Sequence, residues 1–410
     1  MNLVTKSFPV SWRHRGTDPL AVRGKVGAVW HLEDGKRLTD CSGGTLVQSL
    51  AEVSPPPLGL LDLTVPSYGF DLRIQRDADQ ALSAAMGPGA AGLQWTTSGT
   101  DANEAALGIA AWTLAQEEVE IQGVATLRGS YHGASTLTAA LSSRADRSGP
   151  LQGSWLPNCA VETRREDSAQ DILNRFAAIC DGNAKGWIAL IEPLATSGWS
   201  FGWTPDLRRD VLSGLKQMGM FVVVDEIASG CFRHGDMFST ASEGLPGDIV
   251  TLSKGLTQGR QPLSVVVMGQ RANQAMHVPG LAQGKHTFGL TPIAAWYVCR
   301  ALERLQRTVT PDWRNARRRM LADLSVKLAE SPFDIAASPT TLRIAGNPLQ
   351  VSTLGASLRK QGLWCYATKA TFGSKTTAFL HCCPMFDLPA EEQEAQFSYV
   401  VEVAQRVGKA

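Results

Sequence analysis

The sequence has no CxxC pair, no GxxxxGK[ST] phosphate loop, no long apolar run and no excess of charge of either sign. Each absence removes a class of protein. Without about 18 consecutive apolar residues there is no membrane-spanning helix to expect, and Met1 to Arg15 is mixed polar and aromatic, without the apolar core of an export signal. With Lys+Arg 39 against Asp+Glu 38, nothing selects nucleic acid or another polyanion as partner. The eight cysteines are scattered, and the two neighbours, Cys382 and Cys383, are too close along the chain to bridge readily. Reduced, mostly buried thiols in a cytoplasmic protein are expected. A small-molecule substrate is the remaining expectation.

At 410 residues, 44% of them hydrophobic, the chain has the material for a large core. From about residue 90, short apolar runs alternate with amphipathic stretches, the pattern of a parallel α/β sheet. The spacing predicts strands at Leu93–Thr97, Gly123–Leu127, Trp187–Ile191, Phe221–Val224, Ile249–Leu252 and Leu263–Met268. Helices are predicted over Asp101–Ala115, Ser168–Cys180 and Pro205–Met218, each opening on a capping or first-turn residue. The expected architecture is α/β: a large, mostly parallel, doubly wound domain over 61–305, flanked by the two parts of a smaller α+β domain, 1–60 and 306–410. The N-terminal part contains a hairpin turning at Asp34-Gly35. The C-terminal part contains a helix over Trp313–Glu330, strands near Thr341–Ile344 and Ala378–Cys382, and a last helix over Ala390–Val407. No regular pattern emerges across Ala51–Asp71.

Three features carry chemistry. Ser98-Gly99-Thr100 lies between a strand end and a helix start, where backbone N–H groups and the helix dipole converge on a site suited to a phosphate. An isolated SGT is more often an ordinary cap. Phe221–Val224 is an apolar strand ending in Asp225-Glu226, and ligands of parallel sheets bind beyond such strand ends. Lys254, in Thr251-Leu252-Ser253-Lys254-Gly255, follows the next strand and is placed to emerge beside Asp225. A lone lysine is usually surface charge. Together, however, an imine-forming amine, a phosphate cradle and a buried acid match a cofactor with an aldehyde, a phosphate and a protonatable ring nitrogen, which is pyridoxal 5'-phosphate (PLP).

With these motifs in view, the chain resembles the class III (omega) aminotransferases, of PLP fold type I, over roughly residues 20 to 390. The resemblance is carried in order by Trp30 through Asp40, Ser98 through Ala106, Tyr131-His132-Gly133, Ile191-Glu192-Pro193, Asp225-Glu226-Ile227, Phe232 through Gly235, Asp248 through Gly255 and His286 through Gly289. It implies that Ser98, Gly99 and Thr100 hold the phosphate, that Tyr131 stacks on the ring with His132 beside it, and that Ile227 packs on the other face. Asp225 would pair with the ring nitrogen. Lys254 would be the Schiff-base lysine and proton carrier, with Glu192 at the cofactor. Thr287 would reach the phosphate of a neighbouring subunit, which implies a homodimer with a shared active site.

Two departures bear on the substrate. Ala228 stands where relatives often have a glutamine that contacts the cofactor, and His381 stands where many carry an arginine that clamps a substrate carboxylate and pairs with the strand-end glutamate. The expected reaction moves an amino group from an amine or amino acid to a carbonyl acceptor, without the usual recognition of 2-oxoglutarate. The same scaffold also supports PLP-dependent decarboxylation, epimerisation or racemisation and amino-group migration, while a non-catalytic binding role has little use for a Schiff-base lysine.

Overall fold

The computed structural model describes residues 20–63, 72–143, 158–238, 247–277, 286–328 and 331–409. The N-terminal stretch through Arg15, the part of the Ala51–Asp71 segment from residue 64 on, and the expected helix end at Glu330 lie outside them.

Strands β1 (Val22–Val26), β2 (Val29–Leu32) and β3 (Arg37–Asp40) form an antiparallel meander. Its second hairpin turns through Asp34 and Gly35, as expected; Gly35 has φ +84°, a conformation open to glycine, and Asp34 Oδ1 accepts from Lys36 N.

The central sheet contains β4 (Gly92–Thr96), β5 (Gly123–Leu127), β6 (Asn158–Val161), β7 (Trp187–Ile191), β8 (Phe221–Asp225), β9 (Ile249–Leu252) and β10 (Ser264–Met268), in the order β4-β10-β9-β8-β7-β5-β6. β10 runs antiparallel to both β4 and β9, and the remaining pairings are parallel. β5, β7, β8, β9 and β10 are buried at every residue, because both faces are covered. Alternation then sorts their side chains. Ala189, Ile191, Val222, Val224, Val250 and Leu252 pack with helices Arg73–Met86, Ala169–Ile179, Pro205–Gln217 and Pro292–Thr308 on one face. Ile188, Leu190, Phe221, Val223 and Ile249 pack on the other with Ala102, Ala106, Ala110 and Leu114 of helix Gly99–Gln116.

The third sheet orders β11 (Asp334–Ser338), β12 (Thr341–Gly346), β14 (Tyr366–Phe372) and β15 (Lys375–Cys382) as β11-β12-β15-β14. Helices Pro311–Lys327, Pro348–Lys360 and Ala390–Lys409 supply its core with Leu321, Leu354, Phe397 and Val401. Short β13 (Leu363–Trp364) leaves this part of the chain to pair with β3 in parallel, so residues far apart in sequence complete the N-terminal sheet. Helix starts repeat one device: Thr204-Pro205, Thr291-Pro292 and Thr310-Pro311 each put a capping hydroxyl before a proline whose missing N–H costs nothing in the first turn.

Candidate active site

The expected strand ends converge. β8 and β9 pair in parallel with Asp225 opposite Thr251, so Lys254, three residues beyond Thr251, leaves the same edge of the sheet as Asp225. Both line a cavity of 530 Å³ together with Ser98, Gly99, Thr100, Tyr131, His132, Glu192, Ile227 and Ala228. Thr45, Leu46 and Val47 from the N-terminal segment and Tyr366 from β14 close it.

Asp225 is buried and fully engaged. Its Oδ2 lies 2.8 Å from His132 Nδ1 and accepts from Asn103 Nδ2 at 2.8 Å, while Oδ1 accepts from Ile227 N at 3.0 Å. Asn103 is the residue that sequence reasoning missed. Its amide also donates to His132 O, and its carbonyl accepts from Thr251 Oγ1, so one buried side chain ties the cradle helix to β9 and to the Tyr131–Gly133 turn. Hydrogen bonds to a charged group contribute about 1.5–3 kcal/mol each, so this set fixes the carboxylate firmly.

Glu192 ends β7, is buried, and accepts from Tyr131 N at 3.1 Å. Burial, and then the charge of Asp225, push its carboxyl up to about 7, against the pull of His132 and Lys254. Lys254 itself has φ +43°, a left-handed conformation that costs a non-glycine residue of order 1–3 kcal/mol and that clusters at functional sites. The loop after it is clamped by Gln258, whose amide donates to Gly255 O and whose carbonyl accepts from Ser49 N and Leu50 N.

The cradle is built for close approach. Ser98 Oγ caps the helix by accepting from Asp101 N, leaving the first-turn N–H groups of Gly99 and Thr100 outside the helical ladder. A Cβ on Gly99 would stand 2.8 Å from Ile227 Cδ1, and one on Gly133 (φ +146°) would stand 2.3 Å from Thr138 Oγ1 and 2.9 Å from Thr100 Oγ1. Gly99 therefore lets Ile227 lie against the cradle. On the N-terminal side, buried Asp40 organises the turn leading to Thr45–Val47: it takes Lys25 Nζ at 2.8 Å and the backbone N–H groups of Ser42 and Gly44. Burial works against its charge, but these donors outweigh it and hold the carboxyl below the usual range.

The matched family model is aminotransferase class-III, over residues 13–364. The chain belongs to the class III aminotransferases. Among curated relatives, this aminotransferase is similar to acetylornithine aminotransferase of Xanthomonas axonopodis pv. citri (28% identical, covering 69% of this chain and 68% of the relative). It is also similar to diaminobutyrate–2-oxoglutarate aminotransferase of Rhizobium meliloti (26%, covering 77% and 70%). Solved structures with the same fold include a transaminase from the marine bacterium Virgibacillus (TM-score 0.83, 16% identical, covering 99% and 97%). Another is taurine:2-oxoglutarate aminotransferase of Bifidobacterium kashiwanohense in complex with PLP and glutamate (TM-score 0.78, 18% identical, covering 98% and 96%). Class III aminotransferases are PLP-dependent, and this chain is an enzyme of amino-group transfer. No helix among the described residues is long and apolar enough to cross a membrane.

Thr287 and His381 do not line this cavity. Thr287 is exposed, outside the cavity, with Phe288 beside it 60% exposed. His381, in β15, is fully buried and absent from the cavity wall; Phe201 and Tyr366 pack on it with ring centroids 5.8 and 6.0 Å away, and Tyr366 forms the wall in its place. Directly across the β12–β15 ladder stands Arg343. Its guanidinium is also buried, donates to the carbonyls of Gly198 and Ala195, and lies 4.5 Å from the Phe201 ring centroid. Burial draws it down to about 9. Among the described residues no arginine lines the cavity.

Proposed function

We propose that this aminotransferase holds PLP through Lys254 and transfers amino groups from amines or amino acids that it does not grip by an arginine–carboxylate clamp. The observation that carries this reading is the meeting of Lys254, Asp225 and the Ser98–Thr100 helix start in one cavity. The donor set fits the cofactor: a lysine amine for its aldehyde, N–H groups for its phosphate, a fixed carboxylate for its ring nitrogen, and glycine where a Cβ would crowd the cradle. When bound, the cofactor supplies an electron sink for the bond cleaved at the substrate's amino carbon.

The chain's own residues do the rest. Asp225, held by Asn103 and His132, would pair with the ring nitrogen and hold a proton there. Tyr131 and Ile227, which both line the cavity, would pack on the ring. Lys254 Nζ would hold the cofactor's aldehyde and, once freed by the amino donor, would carry the proton taken from the substrate's amino carbon. Glu192 sets the local charge beside it. Ala228 leaves space where a longer side chain would stand, and His381 acts on the substrate only through Tyr366.

Thr287 and Phe288 suit a homodimer in which Thr287 reaches the partner's phosphate, since both are exposed in the single chain. The domain limits 1–60, 61–305 and 306–410 fit the three sheets, with β13 as the exchange between the outer two. The eight free cysteines suit a reducing cytoplasm.

Borohydride reduction of the PLP-loaded protein followed by peptide mapping should place the label on Lys254. Adding amine donors should bleach the cofactor's visible band, and the glutamate/2-oxoglutarate pair should do so poorly. A label elsewhere overturns the assignment of Lys254; ordinary saturation by glutamate overturns the absence of a clamp.

A further inference from the structure

Outside the active site, Cys41 meets Cys365 and Cys382, more than 300 residues further along the chain, where the N-terminal sheet meets the C-terminal one. Cys41 follows β3, Cys365 lies between β13 and β14, and Cys382 ends β15. The register explains the meeting. β13 pairs with β3 in parallel, Leu363 opposite Thr39 and Trp364 opposite Asp40, so the next step puts Cys365 beside Cys41. β14 pairs with β15 antiparallel, Tyr366 opposite His381, so one step back puts Cys365 opposite Cys382. The three thiols interact with one another.

Cys41 and Cys382 are fully buried, whereas Cys365 is only partly so. Cys365 opens onto a second cavity, of 820 Å³, lined also by Trp364, Leu363, Arg359, Ala378 and Leu380. A small oxidant in that cavity reaches one thiol of the three. The hydrogen bond from Cys382 stabilises its sulfur as thiolate and holds it below the usual cysteine range, while its two neighbours are pushed well above theirs. One nucleophile and two protonated partners is the arrangement of a thiol that oxidises and is then resolved. Among the described residues no group of three or more His, Cys, Asp or Glu is arranged to hold a metal ion.

We propose that Cys365 is a peroxide-sensitive modification site that closes to a disulfide with Cys382. Cys382 is preferred over Cys41 because the Cys41 thiol already donates to Gln396 Oε1 at 3.1 Å. Residues directly opposite on antiparallel strands hold their Cβ atoms about 4.5–5.5 Å apart, roughly 1 Å more than the 3.5–4.5 Å across a disulfide, so a small local approach of the two strand ends closes the bridge. In the first step the Cys365 thiolate attacks one oxygen of hydrogen peroxide. The O–O bond breaks, the sulfur becomes a sulfenic acid, and hydroxide leaves and is protonated to water. In the second step the Cys382 sulfur displaces the sulfenic hydroxyl, and its own proton leaves with it as a second water. Two thiols lose two electrons, and one peroxide becomes two waters.

The bridge has a consequence for the active site. It would pin the start of β14 to the end of β15, and the first residue of β14, Tyr366, is part of the active-site wall. The inference is independent of the cofactor chemistry, and its main readout is covalent.

The test treats purified holoenzyme with hydrogen peroxide, blocks the remaining thiols, and maps peptides by mass spectrometry without reduction. The expected result is a Cys365–Cys382 link as the first product, removed by dithiothreitol, with amine turnover lowered severalfold while the link is present. Cys382→Ser should trap Cys365 as a sulfenic acid that dimedone labels. No link, or a first link joining other cysteines, would overturn the site. Unchanged turnover in fully bridged enzyme would overturn the coupling to Tyr366. The mapping needs only the wild-type chain, so a variant that folds poorly does not blunt it.

Discussion

Asn103→Asp tests whether the amide at the centre of the site is there for its lack of charge. In the folded chain its Nδ2 donates to Asp225 Oδ2 at 2.8 Å. A carboxylate in its place would face Asp225 at about that distance, where two unit charges repel by about 6 kcal/mol at an effective dielectric of 20. The folded protein avoids this by holding one proton on the pair, which also restores a donor. Keeping a carboxyl with an ordinary value near 3.9 protonated at pH 7 costs about 1.36 × 3.1, or roughly 4 kcal/mol, falling to about 1.5 kcal/mol at pH 5. The sign follows from a folded-state pKa raised above the unfolded one: the stability is intact below about pH 4 and is lost as pH rises towards 7. Asn103→Ala is the control; it deletes the same hydrogen bonds without adding a charge and should cost about 3 kcal/mol at every pH. Urea unfolding of the cofactor-free variants, followed by circular dichroism at pH 5, 6 and 7, measures both. A difference between them that stays flat across that range would refute the reasoning.

Two further outcomes follow from the same site. Glu192→Gln should flatten the pH dependence of stability, because a buried carboxyl raised from about 4.5 to about 7 makes the wild type lose about 3 kcal/mol relative to glutamine as pH rises through that window; parallel slopes for the two proteins would contradict the assignment. Thr287→Ala, at an exposed position, should leave the unfolding midpoint of the cofactor-free protein unchanged while weakening PLP retention about tenfold, the worth of one hydrogen bond to a charged group. An unchanged retention, or a wild-type chain that elutes as a monomer, would count against the shared site.

The central sheet was legible because burial on both faces turns a strand into a continuous apolar run: Phe221–Val224 and Ile249–Leu252 can hardly be read otherwise. The edge strand β6, Asn158-Cys159-Ala160-Val161, is too short and too polar to stand out, and β14 has no large apolar side chain between Tyr366 and Phe372, with Ala367 and Lys369 on its exposed flank. The reversal of β10 left no mark in the sequence, since its Ser264–Met268 run looks like the others and only its pairing sets its direction. Ser98–Thr100, Asp225 and Lys254 stood out because they sit at a helix start or just at or beyond a strand end, which sequence patterns mark. Asn103 could not, since nothing local distinguishes a buried asparagine that joins three elements from a solvated one. His381 was expected at the substrate, but its alternation along β15 turns it towards Phe201 and Tyr366. Cys41 looked unrelated to Cys365 and Cys382 because its meeting with them depends on β13 crossing to a distant sheet, whereas the other two meet across the β14–β15 hairpin.

That crossing also sets a timetable for the newly made chain. β3 pairs with β13 across 363 − 39 = 324 residues. At about 5–20 residues per second, the ribosome needs roughly 16 to 65 s to deliver the partner strand. Throughout that interval the β1–β3 meander carries an open edge, the kind of surface that templates pairing between chains. Thr45–Val47, which follow β3, have no closed sheet behind them until then. Cofactor capture is therefore a late event, and a growing chain gains by having its N-terminal edge shielded by a chaperone until the far strand arrives.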